Sequence, residues 1–347
     1  MEMNKTFILT KLNELEMVER EMPKPQKGEV LVKLGAIGVC GSDVHYYDKG
    51  RIGSFVVDFP FVLGHECAGT IVGLGEGVDS FSLGDKVALE PGVPCGKCEM
   101  CKTGHYNLCP DVRFLATPPI DGCLMEYITF PAEYTFKLPK NMTVEQGALV
   151  EPTAIGMNAA LTGQVKAGDT VLIMGAGCIG LVSLLAAKAF GAAKVIVSDV
   201  ISLRLEAAKK LGAYETIDSK EQNVAQIVSE ITDGKGVDVV IDCAGFSETV
   251  RSGIQCAKAA GRIVIVGMGV DELNGIPLGP ISTKELVITS IFRYKNLYPR
   301  TIAAIESGSI NLEGIVSKRY SFEDSASAFS DACNMPTTTI KNVILFD

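Results

Sequence analysis

Four cysteines lie close together in one short segment of the chain, and they could bind a metal ion. The segment reads C-x2-C-x2-C-x7-C and contains Cys95, Cys98, Cys101 and Cys109. Four thiolates at this spacing can close a tetrahedral zinc site within one loop. A [4Fe–4S] cluster is the alternative, but no proline follows the third cysteine. Because four sulfur ligands leave no open position, we expect a structural zinc site.

A second group of residues could bind a catalytic metal ion. Cys40 lies in G-V-C-G-S-D-V-H-Y, and His65 and Glu66 lie in L-G-H-E-C-A-G. A thiolate, an imidazole and a carboxylate would supply three ligands and leave one position for water or substrate, as catalytic zinc requires. Adjacent strand residues point to opposite faces, so His65 and Glu66 can both bind only if the backbone bends there. Otherwise Glu66 acts from the second shell, and Glu151, in L-V-E-P-T, is the other candidate ligand.

A glycine-rich motif predicts a dinucleotide-binding turn. Gly175, Gly177 and Gly180 form G-x-G-x-x-G directly after T-V-L-I-M (170–174), a run typical of a strand buried on both faces. A long Ala- and Leu-rich segment follows, and it reads as a helix. The free N–H groups at the start of that helix would face the phosphates of a dinucleotide.

An acidic residue after the next strand bears on the choice of cofactor. Asp199 lies 19 residues beyond Gly180, where a carboxylate can bind the adenosine ribose hydroxyls and repel a 2′-phosphate. This favours NAD over NADP. Arg204 could bind such a phosphate instead, so NADP stays open.

The residue pattern around these motifs differs between the first 150 residues and the chain from 170 onward. The first 150 residues contain short β-branched runs broken by Gly and Pro, which predict a β-rich, barrel-like domain. From 170 onward, apolar runs alternate with helical segments, which predicts a doubly wound parallel sheet. The predicted strands cover 30–34, 67–72, 86–89, 170–174, 194–198, 237–242, 262–267, 285–291 and 341–346.

The order of the segments predicts two domains in an α/β protein. Residues 154–293 form the Rossmann domain, and 1–153 together with 294–347 form the zinc-binding domain. The chain would then cross between the domains twice, and a cleft between them would be the natural ligand site.

Composition excludes several classes of protein. Hydrophobic residues make up 47% of the 347 residues, which rules out a disordered or fibrous chain. The net charge of −9, without a basic cluster, argues against a nucleic acid partner. Residues 170–187 are uncharged, but the glycine motif explains this run better than a membrane span does. An odd count of 11 cysteines and no secretion signal indicate a cytoplasmic protein rather than a disulfide scaffold.

Over nearly its whole length the sequence resembles the zinc-dependent medium-chain dehydrogenases, and among them the sorbitol and other polyol dehydrogenases. The likeness rests on C-G-S-D-V-H-Y-Y (40–47), G-R-I-G (50–53), L-G-H-E (63–66), G-H-Y-N-L-C-P (104–110), L-A-T-P-P-I-D-G (115–122), E-Y (126–127), G-A-L-V-E-P (147–152), G-A-G-C-I-G (175–180) and F-R-Y-K-N-L-Y-P (292–299). The T-P-P-I-D-G and F-R-Y-K-N-L-Y-P segments favour polyol over simple alcohol dehydrogenases. The resemblance implies a GroES-like catalytic domain beside the Rossmann domain, two zinc ions per chain, NAD, and a homo-oligomer that is a dimer or a tetramer.

The resemblance also assigns roles to individual residues. The catalytic zinc set would be Cys40, His65 and Glu66, with Glu151 on or beside it. The substrate contacts would be Tyr46, Glu151, Arg293 and Tyr294. The cofactor contacts would be Ile179, Asp199, Arg204, Val266, Gly267, Met268, Ile291, Phe292 and Arg293, in addition to the motif glycines. His105 stands where relatives often carry arginine, without consequence for catalysis.

The reaction that this implies is oxidation of a polyol to a ketose. Zinc would lower the pKa of the substrate hydroxyl, hydride would pass to the nicotinamide, and Ser42 and His45 would carry the proton away. A metal-free quinone reductase, a threonine dehydrogenase and a non-catalytic NAD-binding protein are the alternatives. The presence of Cys40, Ser42, His45 and His65 argues against a metal-free quinone reductase and against a non-catalytic NAD-binding protein. The sequence leaves open which polyol is preferred.

Overall fold

The computed structural model describes residues 3–270, 272–335 and 337–346, which form two compact units. The first unit extends to Glu151 and also includes Tyr298–Glu306 and the chain from Val316 onward. The second unit comprises Pro152–Leu297 and Ser307–Ile315. The predicted boundaries at 153 and 294 stay predictions. Among the described residues, no helix has the length and apolar character needed to cross a bilayer.

The regular elements alternate in type in the second half of the chain but not in the first. In chain order they are β1 (Met3–Lys11), β2 (Glu14–Glu21), β3 (Glu29–Gly38), α1 (Gly41–Lys49), β4 (Arg51–Ile52), β5 (Phe55–Val56), β6 (Glu66–Leu74), β7 (Lys86–Leu89), β8 (Gly92–Val93), α2 (Glu99–Lys102), β9 (Arg113–Phe114), β10 (Tyr127–Pro131), β11 (Thr135–Lys137), α3 (Val144–Ala148) and α4 (Val150–Thr162). They continue with β12 (Thr170–Met174), α5 (Cys178–Ala189), β13 (Lys194–Asp199), α6 (Ser202–Lys210), β14 (Glu215–Asp218), α7 (Val224–Ile231), β15 (Val237–Asp242), α8 (Ser247–Cys256), β16 (Ala257–Ile265), α9 (Leu278–Thr283), β17 (Val287–Ser290), α10 (Tyr298–Glu306), β18 (Lys318–Ser321), α11 (Ser325–Asn334) and β19 (Asn342–Leu345).

The first unit is built around a largely antiparallel sheet. Its strands lie in the order β11-β7-β6-β3-β19-β18, and β10 also pairs with β3. Val30, Val32 and Leu34 of β3 are buried at alternate positions and face the core, as the period of two in a strand requires. The prediction of a β-rich first domain is confirmed.

The end of the chain returns to this unit. β19 pairs antiparallel with β3 and parallel with β18. α11 lies beside α1, where the Tyr47 and Phe329 rings are 5.8 Å apart. The carboxyl-terminal segment therefore supports the strand and the helix that flank Cys40.

The second unit is a doubly wound parallel sheet, as predicted. Its strands lie in the order β14-β13-β12-β15-β16-β17, and every neighbouring pair is parallel. Strand β12 is buried from Val171 to Met174, in keeping with its continuous apolar sequence.

Three predicted strands end one or two residues earlier than expected: 285–291 corresponds to β17, which ends at Ser290, 341–346 corresponds to β19, which ends at Leu345, and 262–267 corresponds to the end of β16. The apolar run 262–267 predicts a strand to Gly267, but β16 ends at Ile265. The N–H groups of Val266 and Gly267 both donate to the Asp242 carbonyl, at 2.8 and 3.0 Å. This shared acceptor ends the pairing of β16 with β15 and places 266–267 in a loop at the carboxyl edge of the sheet.

Candidate metal and cofactor sites

The four-cysteine segment folds into one cluster. The sulfur atoms of Cys95, Cys98, Cys101 and Cys109 all lie within 4.8 Å of one another. The Cys98 and Cys101 sulfurs are 3.4 Å apart. Four sulfurs around a tetrahedral zinc ion, with Zn–S bonds of about 2.3 Å, would be separated by about 3.8 Å. The geometry fits zinc in the predicted structural site.

The backbone of this lobe is arranged to stabilise thiolates. Cys98 caps helix α2, and its sulfur accepts the Cys101 N–H at 3.5 Å, while the Cys109 sulfur accepts the Cys95 N–H at 3.4 Å. Burial nevertheless raises the pKa of the Cys101 and Cys109 thiols. Four adjacent thiolates therefore need a cation between them, which the donor set is suited to hold.

A partly buried hydrogen bond joins this lobe to the rest of the first unit. The Tyr106 hydroxyl donates to Glu90 Oε1 at 2.6 Å. Glu90 is only 3% exposed, and its burial raises its pKa to about 7; the Tyr106 hydrogen bond opposes this shift and the charge of Glu151 adds to it. Sequence reasoning missed this pair, since nothing in the spacing of Glu90 and Tyr106 predicts the contact.

The second predicted metal site also assembles. Potential ligand atoms of Cys40, His65 and Glu66 lie within 4.8 Å of one another. The backbone bends at Gly64, whose φ is 91°, and β6 begins only at Glu66. His65 therefore precedes the strand, which removes the alternation that would have separated it from Glu66. Glu151, buried in the first turn of α4, does not join the group that the structure brings together here.

Asp43 orients His65, and the sequence analysis did not single it out. Its Oδ2 lies 3.2 Å from His65 Nδ1, and its Oδ1 accepts the Gly64 N–H at 3.1 Å. Burial alone would lower the pKa of His65, but the Asp43 carboxylate and Cys40 outweigh it and hold that pKa well above its usual value. A site that stabilises positive charge this strongly fits a metal cation, and the carboxylate–histidine pair is the usual support of a metal-binding imidazole.

Lys341 is the second residue that sequence reasoning missed. Its ammonium forms an ion pair with Glu66 Oε2 and donates to the Val39 carbonyl at 2.9 Å, and both side chains are almost fully buried. Glu66 Oε1 is buried without a hydrogen-bond partner among the described residues. One carboxylate oxygen is thus held by lysine, and the other is suited to a metal ion. No sequence signal links Lys341 to Glu66, because they come together only through the pairing of β19 and of β6 with the same strand, β3.

Helix α1 carries three of the predicted reactive residues. The Ser42 hydroxyl donates to the Cys40 sulfur at 3.3 Å. His45 lies one turn further along the same face, on the exposed side of the helix. Tyr46 is buried, with its ring 6.3 Å from that of Phe61. Ser42 therefore lies beside the candidate metal set, and His45 lies toward solvent.

The predicted dinucleotide motif has the expected local structure. α5 begins after Gly177, so the N–H groups of Cys178, Ile179 and Gly180 lie in its first turn, where helical partners are lacking. A side-chain carbon added to Gly177 would meet only Arg204 Nη1, at 4.0 Å. The space in front of this turn is therefore open to a phosphate group.

Asp199 is rigidly held at the end of β13. Its Oδ2 accepts the Ala176 N–H at 2.6 Å, and its Oδ1 accepts the Val200 and Ile201 N–H groups at 2.7 and 2.9 Å. Arg204 Nη1 lies 3.9 Å from Asp199 Oδ2. The two residues that the sequence weighed against each other are thus neighbours at one edge of the sheet.

The remaining predicted residues lie in loops that follow β16 and β17. Val266, Gly267 and Met268 follow β16, and Met268 is 65% exposed. Ile291, Phe292, Arg293 and Tyr294 follow β17. Arg293 has a φ of 58°, its guanidinium lies 4.7 Å from the centre of the Phe292 ring, and its carbonyl accepts from Asn158 Nδ2 at 2.8 Å. Their contacts with substrate and cofactor stay predictions.

Comparison with known proteins agrees with both units. Residues 26–140 match the alcohol dehydrogenase GroES-like domain, and 178–307 match the zinc-binding dehydrogenase domain. Sorbitol dehydrogenase of Bacillus subtilis is 43% identical over 342 residues, which is 98% of this chain and 96% of that protein.

Solved structures agree as well. An Escherichia coli oxidoreductase of unknown specificity has a TM-score of 0.96 at 40% identity, with both chains covered completely. A short chain alcohol dehydrogenase of E. coli CFT073, in complex with NADH, has a TM-score of 0.92 at 33% identity over 99% of each chain. The chain therefore belongs to the zinc-binding alcohol dehydrogenases, the medium-chain family that joins a GroES-like domain to a Rossmann-type one.

Proposed function

We propose that this protein is an NAD-linked polyol dehydrogenase, which oxidises a sugar alcohol such as sorbitol or xylitol to the ketose and forms NADH and a proton. The observation that carries the proposal is the group formed by Cys40, His65 and Glu66, whose donor atoms lie within 4.8 Å of one another. Three donors of this kind suit a zinc ion with one position left for substrate. The similarity to a sorbitol dehydrogenase over nearly the whole chain supports the substrate class.

Zinc in this group supplies a Lewis acid that polarises the reacting hydroxyl and favours its ionisation. Cys40, His65 and Glu66 are the residues proposed to hold it. Asp43 fixes the orientation of the imidazole, and Lys341 fixes one oxygen of Glu66. Both supports are buried, so the donor atoms are held in place before the ion binds.

Ser42 and His45 are proposed to remove the proton. Ser42 Oγ lies 3.3 Å from the Cys40 sulfur, within reach of a hydroxyl bound beside that sulfur. Partial burial of the imidazole, with a further contribution from Lys49, lowers the pKa of His45, so its imidazole is neutral at pH 7 and can accept a proton. His45 also lies toward solvent, where the proton can be released.

NAD is the proposed cofactor. The carboxylate of Asp199 is oriented by three backbone N–H groups and can accept hydrogen bonds from ribose hydroxyls, whereas a 2′-phosphate would meet its negative charge. Gly175, Gly177, Ile179 and Gly180 are the proposed phosphate contacts. The loops after β16 and β17 are proposed to face the nicotinamide half.

Tyr46, Glu151, Arg293 and Tyr294 are the proposed substrate contacts. Hydroxyl, carboxylate and guanidinium groups suit a ligand that offers several hydroxyls. A site built from such groups rejects substrates that lack the matching hydroxyls.

The proposal includes a cytoplasmic location and assembly into a homodimer or homotetramer. None of the 11 cysteines, all of which lie in the described residues, forms a disulfide bond, which suits a reducing compartment. Edge strand β17 presents Val287 and Ile288 at 42% and 37% exposure, which suits coverage by a second copy.

The test is an NADH absorbance assay with sorbitol, xylitol, 2,3-butanediol and threonine, each with NAD and with NADP. We expect the highest kcat/KM for a polyol with NAD. Cys40→Ser should abolish turnover and remove one zinc ion per chain, whereas the matched control Cys333→Ser, on α11, should keep both. Highest kcat/KM with threonine would contradict the polyol assignment, and a zinc-free active enzyme would contradict the metal site.

A further inference from the structure

A buried carboxylate at the carboxyl end of β15 takes no part in the chemistry proposed above. Asp242 is fully buried, and it is the last residue of its strand. Burial raises its pKa, while hydrogen bonds from the residues around it favour the charged form. Burying a carboxylate costs folding free energy unless hydrogen bonds compensate for the lost water. The hydrogen-bond partners of Asp242 therefore show which part of the structure it stabilises.

The side chain of Asp242 binds the loop that follows its own strand. Oδ1 accepts the Ala244 N–H at 3.2 Å, and the Gly245 N–H lies 3.3 and 3.2 Å from Oδ1 and Oδ2. The carboxylate therefore fixes the path of Ala244 and Gly245 as the chain leaves the sheet.

The main chain of Asp242 binds the neighbouring loop. Its carbonyl accepts the N–H groups of Val266 and Gly267 at 2.8 and 3.0 Å. One residue thus holds two loops, Ala244–Gly245 through its side chain and Val266–Gly267 through its main chain.

These two loops pack against each other without room for a side chain. A methyl group added to Gly267 would come within 2.5 Å of the Gly245 nitrogen, and one added to Gly245 would come within 2.5 Å of the Gly269 nitrogen. Gly245 also has a φ of 73°, which disfavours any other residue. A displacement of Gly245 must therefore displace the loop at 266–269.

We propose that Asp242 is a positioning residue for the nicotinamide half of the cofactor. Its carboxylate fixes Ala244 and Gly245, and these fix the main chain of 266–268. The adenosine half has supports of its own, namely the first turn of α5 and Asp199 at the end of β13, and Ala244 also lies next to Gly175. Loss of the Asp242 carboxylate should therefore weaken nicotinamide binding more than ADP-ribose binding.

This inference rests on the proposed use of a nicotinamide dinucleotide, and the test separates the two. Asp242→Asn keeps the shape of the side chain but places an amide donor against backbone N–H groups. We expect the dissociation constant of NADH, followed by fluorescence without substrate, to rise on the order of 10-fold. The dissociation constant of ADP-ribose, measured by calorimetry, should change less than about 2-fold.

Asp238→Asn is the matched control, because Asp238 lies near the other end of the same strand. Asp238 also binds backbone and side-chain donors, the Thr170 N–H at 2.8 Å and the Lys258 ammonium. Its replacement should lower stability without separating NADH from ADP-ribose. Equal losses for the two ligands in Asp242→Asn, or no loss for either, would overturn the positioning role.

Amide hydrogen exchange of the cofactor-free wild-type protein tests the same inference. Its result does not depend on whether the Asp242→Asn variant folds. We expect the N–H groups of Gly245 and Gly267 to be protected to the same degree as those of strand β15. Exchange at the rate of an open loop would overturn the inference. A wild-type protein that binds neither NADH nor ADP-ribose would instead overturn the cofactor proposal, and the exchange result would still decide whether Asp242 holds the two loops.

Discussion

At the scale of single residues, cofactor choice depends on Asp199. Replacing Asp199 with alanine removes the charge that would face a 2′-phosphate and leaves Arg204 in place. We expect the ratio of kcat/KM for NAD to that for NADP to fall by a factor that corresponds to about 1–3 kcal/mol, the contribution of hydrogen bonds to a charged group. The thermal midpoint should fall as well, since three backbone N–H groups lose their acceptor.

Asp218→Ala is the control for this change. Asp218 pairs in register with Asp199 at the end of the neighbouring strand β14, and its Oδ1 accepts the nearby Lys220 N–H at 3.0 Å. Its replacement should leave the cofactor ratio unchanged. If the wild-type enzyme already prefers NADP, Arg204 decides the choice and the role proposed for Asp199 is wrong.

If His45 accepts the proton, kcat/KM for polyol oxidation should decline at acid pH, as an acid limb of the pH profile. Burial lowers its pKa below 6.5, and the neutral imidazole is the form that accepts a proton. As the pH falls through this lowered pKa, His45 becomes charged and kcat/KM for polyol oxidation should decline, with a midpoint below 6.5. His45→Gln should remove this limb, and His105→Gln, another exposed histidine, should keep it. An unchanged limb in His45→Gln would assign the titration to another group.

The candidate site residues that the sequence predicted share one property: their spacing or motif carries a signal of its own. The four cysteines and Cys40, His65 and Glu66 are of this kind, and the structure brings each set together. Asp43 and Lys341 could not be found in this way. Nothing in the spacing of Asp43 and His65 predicts their contact, and Lys341 reaches Glu66 only because β19 and β6 both pair with β3.

At the scale of elements, a strand could be predicted from the sequence where its apolar pattern alone determines its extent. Strand β12 and the predicted run 170–174 coincide, because a continuous apolar run is buried on both faces. The run 262–267 fails at its end because a single carbonyl, that of Asp242, binds two successive N–H groups. Such a shared acceptor is a tertiary feature, and the local sequence carries no sign of it.

The four-cysteine lobe is the element whose stability should depend most on metal. Its helix, α2, has only four residues and buries none of them, so packing contributes little. Cys95→Ser should therefore leave about one zinc ion per chain in place of two and lower the thermal midpoint by several degrees, since bound zinc contributes folding free energy. Metal analysis and a thermal melt measure both effects.

Turnover per zinc-loaded molecule should change less than stability in this variant. The catalytic set, Cys40, His65 and Glu66, shares no ligand with the lobe. Cys333→Ser, a half-buried cysteine outside both sets, should keep two zinc ions and the wild-type melting point. A Cys95→Ser protein with two zinc ions and unchanged stability would contradict the structural assignment.

At the scale of the whole molecule, the two edges of the parallel sheet differ in a way that predicts assembly. Edge strand β14 begins with Glu215 and ends with Asp218, and charges of this kind discourage pairing with another chain. Edge strand β17 is uncharged and exposes Val287 and Ile288. An exposed apolar edge with free backbone groups is a template for strand pairing, so a second copy of the chain is the expected partner at β17.

Ile288→Lys tests this assembly. A lysine in β17 would place a charge at the paired edge, so we expect light scattering or sedimentation to show a smaller species than the wild-type oligomer. Thr216→Lys puts the same residue in β14, the opposite edge of the same sheet, and should leave the oligomer intact. The parallel sheet of each chain should persist in both variants, because β14 and β17 are its two edge strands and its central strands are unchanged. An Ile288→Lys protein that keeps the wild-type mass, or a wild-type protein that is already monomeric, would show that β17 is not the interface.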